Sequence, residues 1–148
     1  MSFQEKKNIV ALLSTLVIFT LYCMVVFQRY QAVNLESTEL FKFWGSAILI
    51  LIPVSMVAKI ITHIIFSIIN TIATKEIEPK FSDELDKLIE LKATTISHYV
   101  FVIGFLLAIG SLVINMPPTT MFIIFIFSGF VSEVIGILTQ LYLYRRGI

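Results

Sequence analysis

Residues 121–144 read MFIIFIFSGFVSEVIGILTQLYLY, and Glu133 is the one charged residue among them. At ~1.5 Å per residue, such a run crosses the ~30 Å hydrocarbon core of a bilayer as one α-helix. Three more apolar runs, Ile9–Phe27, Phe43–Ile65 and Tyr99–Ile114, are near the same length. Backbone amides in hydrocarbon must be satisfied inside a helix or a closed barrel. Continuous apolar runs, rather than alternation, favour helices. The expected fold is therefore all-α, a polytopic four-helix transmembrane bundle forming a single membrane domain over 1–148. The expected spans are about 9–27, 43–65, 97–115 and 120–144.

Composition agrees. Hydrophobic residues make up 57% and charged residues 14% of the chain, against ~45–50% and ~25% in soluble domains. A net charge of +1 gives no case for nucleic-acid binding. Cys23 is the one cysteine, which excludes an internal disulfide or CxxC shuttle; it reads as a packing residue. Lys6 and Lys7 ahead of the first run resemble a signal leader. That run is too long for one, however, and Tyr22–Phe27 is bulky where a cleavage site would need small residues, so an uncleaved anchor is expected.

Basic residues are sorted by connection. Lys6, Lys7, Lys75, Lys80, Lys87, Lys92, Arg145 and Arg146 fall on one side, and only Arg29 and Lys42 on the other. The positive-inside rule then places both termini and the central connection, about 66–96, in the cytoplasm. Tyr30, Phe41 and Trp44 suit the opposite interfacial belt. Asn115-Met116-Pro117-Pro118 should stop the third helix and turn it back as a hairpin.

The central connection is the most distinctive segment. Ile61, Ile65, Ile68 and Ile72 continue the second helix in a heptad-like stripe beyond the span, and Glu76-Ile77-Glu78-Pro79 should end it. Ser82 is a candidate N-cap for the next helix, with Asp83 and Glu84 in its first turn and Asp83 spaced to pair with Lys87. Leu85, Leu88, Ile89 and Ile96 make an apolar stripe there. The second and third helices are thus expected to extend into a short cytoplasmic helical hairpin. It either packs on itself or presents Asp83, Glu84, Asp86 and Glu90 to a protein partner.

At membrane depth the polar residues are Lys59, His63, His98, Ser132 and Glu133, with Ser55, Thr62, Thr139 and Gln140 nearby. An ionisable group there costs ~2.5–3.5 kcal/mol on insertion scales, so Glu133 needs a partner. Lys59 is the natural one by depth. The pair reads as structural, or as a site for transport or proton coupling; alternatively, Lys59 and His63 snorkel and leave Glu133 to its hydroxyl neighbours. No spacing supports a metal or a cofactor, and no phosphate loop or nucleophile motif is present. Gly104, Ala108, Gly110, Gly129, Ser132 and Gly136 offer small-residue faces suited to helix contact and to homodimerisation.

The run SDELDKLIELKA over Ser82–Ala93, followed by SHYVF over Ser97–Phe101, resembles an uncharacterised family of small bacterial four-span membrane proteins. In these an acidic helix of the DERDxxIxxKA kind leads into the third span. The likeness covers about twenty residues closely and departs at Leu85, where the pattern has arginine. It implies a bacterial inner membrane and a signalling or immunity role beside small regulators. The acidic amphipathic helix over Ser82–Ala93 and the lack of a catalytic motif give a non-enzymatic expectation: a membrane-tethered regulator or immunity-type protein acting by protein–protein contact. The alternatives are a small oligomeric transporter or channel using Glu133 with Lys59 and His63, and an integral-membrane enzyme on a lipophilic substrate.

Overall fold

The computed structural model describes residues 1–32, 37–75, 77 and 83–147. Four helices fill almost all of them: α1 (Phe3–Ala32), α2 (Ser37–Thr74), α3 (Glu84–Val113) and α4 (Pro118–Arg146). Each is long and apolar enough to cross a bilayer, which makes this a multipass, all-helical membrane protein.

Packing is inverted relative to a water-soluble bundle. The buried side chains are mostly small or polar, among them Ala47, Ala93, Ala108, Asn8, Thr15, Asn70, Ser111, Ser128 and Ser132, while isoleucines, leucines and phenylalanines crowd the outside. Lipid is as apolar as leucine, so nothing drives large side chains inward, and helices associate where small residues let backbones approach.

Helix α4 is the hub. It carries α3 along one flank and α1 along another; α2 lies against α1 and reaches α4 only locally. Among the described residues no Cα of α2 comes within 8 Å of one in α3. The described extensions of these two helices therefore do not pack directly on each other.

The α3–α4 pair is closed by a tight turn. Asn115 takes a left-handed φ of 62°, a conformation asparagine tolerates. Its amide donates to the Leu112 carbonyl, and that of Met116 to Ser111, which satisfies carbonyls left open at the helix end. Pro117 and Pro118 then start α4, where a missing N–H costs nothing. Below the turn the Ser97 hydroxyl donates to the Ser132 carbonyl at 2.7 Å. Gly104 lies directly against Ser128, and Gly136 faces Ser97. Gly110 and Gly129 have open space where a Cβ would stand, so only part of the expected small-residue face is used here. The used part is consumed within one chain, while Gly110 and Gly129 stay open.

Helix α2 runs 38 residues, without a break at Pro53. It stops at Thr74, with Lys75 left-handed at φ 56°, ahead of the expected stop at 76–79, of which only Ile77 is described. Helix α3 is capped by Asp83 in a capping box with Asp86. The cap thus lies one residue after the expected Ser82, which is outside the described residues, and Asp83 is engaged in capping. Trp44, one of the residues suited to the interfacial belt, is 4% exposed. It is caged by Tyr30, Phe43 and Phe122, whose rings lie 5.4–6.1 Å away.

Candidate functional site

Glu133 and Lys59 meet. Lys59 Nζ lies 2.5 Å from Glu133 Oε1, and the side chains are 48% and 30% exposed respectively. The Thr15 hydroxyl, buried on α1, donates to the same carboxylate oxygen at 3.4 Å. Three helices thus converge on one carboxylate. A cavity of about 200 Å³ adjoins it, walled by Phe19, Ser55, Phe130 and these three polar residues. The Ser55 hydroxyl is already committed to the Ile52 carbonyl of its own helix.

The local sequence explains the placement. Ile126, Gly129, Phe130 and Glu133 recur at three- and four-residue steps, one helical face, and that face of α4 meets α1 and α2. Phe19 stacks on Phe130 with ring centres 4.0 Å apart, and its edge meets Phe127 at 5.3 Å. This clamp sets the depth of α1 against α4 and brings Thr15 level with Glu133. Chemically, the contact joins one cation to one anion, so the two side chains carry no net charge as a unit.

The five-residue cluster expected from the sequence does not assemble as one. Ser132 is a neighbour of Glu133 in sequence but points ~100° away around the helix. It is buried on the α3 side, where its hydroxyl donates to the Gly129 carbonyl. His98 is exposed on α3, and among the described residues no Cα of that helix comes within 8 Å of one in α2. Its ring lies 6.4 Å from that of Tyr99. His63 stays one turn from Lys59 on α2, half-buried. Among the described residues no three His, Cys, Asp or Glu side chains gather as a metal site. Cys23 lines an apolar cleft of about 790 Å³ between α1 and α4 beside Phe27 and Phe127.

The charged arm of α3 also divides. Asp83 and Asp86 serve the capping box, and Asp86 accepts a hydrogen bond from the Tyr144 hydroxyl at 2.8 Å. Glu84 and Glu90 are exposed. Ile89 and Ala93, each 1% exposed, seat the arm on α4, whereas Leu85, Leu88 and Ile96 of the expected apolar stripe remain largely outside. Sequence reasoning passed over Thr15 and Tyr144. Counting depth along α1 finds the first, since Thr15 is one of two hydroxyl residues in the basic-end half of its span. No local signal marks the second.

No family model, curated protein or solved structure matches this chain.

Proposed function

We propose that this is a non-enzymatic membrane interaction protein, a membrane-tethered regulator or immunity-type protein of a bacterial inner membrane. Both its termini and the α2–α3 connection face the cytoplasm. The supporting observation is the seating of the first turns of α3. One side is fixed to α4 through Ile89, Ala93 and the Tyr144–Asp86 hydrogen bond. The opposite side holds Glu84, Lys87 and Leu91 outward in a set geometry. A rigid helical face with an apolar centre and charged flanks suits helix-in-groove recognition by a protein partner.

A photo-crosslinking residue at Leu91 is expected to give one discrete adduct in native membranes, lost on Glu84→Lys with Glu90→Lys while the protein inserts normally. A Leu91 position that yields no adduct, or one indifferent to both charge reversals, removes this surface from consideration.

A second reading rests on the Lys59–Glu133–Thr15 contact and its cavity: a small oligomeric transporter coupled to protons. Proteoliposomes should then show proton flux abolished by Glu133→Gln. Flux that survives this change eliminates the carboxylate as coupling group.

A further inference from the structure

Contacts between helices fix their relative depth. Phe3 lies against Phe66, with ring centres 5.5 Å apart, and the Tyr22 hydroxyl donates to the Ala47 carbonyl. Thr15 meets Glu133, and Tyr144 meets Asp86. Carried along each helix, these pairings bring Lys7, Thr62, Glu90 and Leu141 to about one level. Beyond it, toward the end that holds both termini, α1, α3 and α4 carry Glu5, Lys6, Asp86, Lys87, Arg145 and Arg146. A bilayer deep enough to cover Ile72 would immerse all of these charges.

Among the described residues, only helix α2 continues with an apolar face past that level, for about 18 Å at the helical rise. Ile65, Ile68 and Ile72 stand there 51%, 55% and 75% exposed, with Ile61 just inside at 52%. Their 4-3-4 spacing makes one stripe. Asn70 on the other side of the helix is buried, with Phe66 and Ser67 half-buried beside it, so α2 turns its polar face to its own bundle and its isoleucines away. Outside hydrocarbon, an apolar stripe of this extent needs a cover.

We infer that a second copy of this chain covers it, the α2 extensions packing in parallel as a short coiled coil. Two observations and one constraint point to this occupant. The isoleucines occupy alternate a and d positions, the pattern that self-packs knobs into holes. No Asp, Glu, Lys or Arg occurs between Lys59 and Lys75, so identical stripes meet without like-charge repulsion. Copies inserted in one membrane share an orientation, which makes the parallel, in-register arrangement the available one. Isoleucine at both core positions favours three or four strands over two. This association does not depend on the α3 partner surface.

The test places single cysteines in a Cys23→Ser background and oxidises native membranes. Ile68→Cys and Ile72→Cys should form chain-to-chain disulfides roughly tenfold more than Ala73→Cys, because a bridge needs Cα atoms ~4.4–6.8 Å apart. Ile68→Glu with Ile72→Glu should reduce the mass of the purified particle in nanodiscs to one copy, with helix content and thermal midpoint retained. A wild-type particle of one copy overturns the inference. So does equal cross-linking at Ala73, or a mass unchanged by the paired glutamates.

Discussion

Gly104→Ala is expected to destabilise the bundle by about 1–3 kcal/mol, the usual cost of forcing a methyl group into filled space. A Cβ on Gly104 would overlap the Ser128 side chain and press on its Cα at 3.3 Å. Ser128 cannot easily yield, because its hydroxyl donates to the Ile124 carbonyl at 2.6 Å and it is buried. Gly110 is the internal control on the same helix. Nothing lies within 4 Å of a Cβ there, so Gly110→Ala should gain up to ~1 kcal/mol from helix propensity alone. Pairing Gly104→Ala with Ser128→Gly should recover most of the loss. Reversible unfolding in mixed micelles measures all three. Equal effects at both glycines would mean that α3 and α4 do not approach at Gly104.

The second large effect concerns the intramembrane pair. Lys59→Met leaves the Glu133 carboxylate with only the long Thr15 hydrogen bond, and Glu133→Gln leaves an ammonium facing an amide. Each single change should cost about 1–3 kcal/mol, reduced from the fully buried figure because both side chains are partly exposed. The double variant should lose clearly less than the two losses added. A non-additive cycle is the signature of direct coupling, and losses that add within ~0.5 kcal/mol would show the contact to be energetically idle.

Much of the architecture was readable from the chain because lipid imposes a length and a polarity on every span. Residues 121–144 and their three counterparts declare themselves, and Asn115-Met116-Pro117-Pro118 declares the turn. Depth counting brought Lys59 to Glu133 for the same reason: rise per residue is fixed, and an isolated carboxylate needs a cation. What the chain hides is which way each face points. In water, apolar periodicity marks the inward side. Here Ile, Leu and Phe surround every helix, so Ser132 and Glu133 look like one site although they serve different flanks of α4. His98 was drawn into the cluster on depth alone, which says nothing of which helices touch. Trp44 reads as an interfacial residue, but nothing local in the chain shows that Tyr30 and Phe122 enclose it.

Trp44 is also the chain's sole indole. Its emission therefore reports one place, the aromatic cage joining α1, α2 and α4 at the turn end. Because that ring is shut away, acrylamide in the water should hardly quench it until those three helices spread apart. The protein thus carries its own optical gauge for the opening of one pole, separate from events at the α3 arm or along the isoleucine stripe.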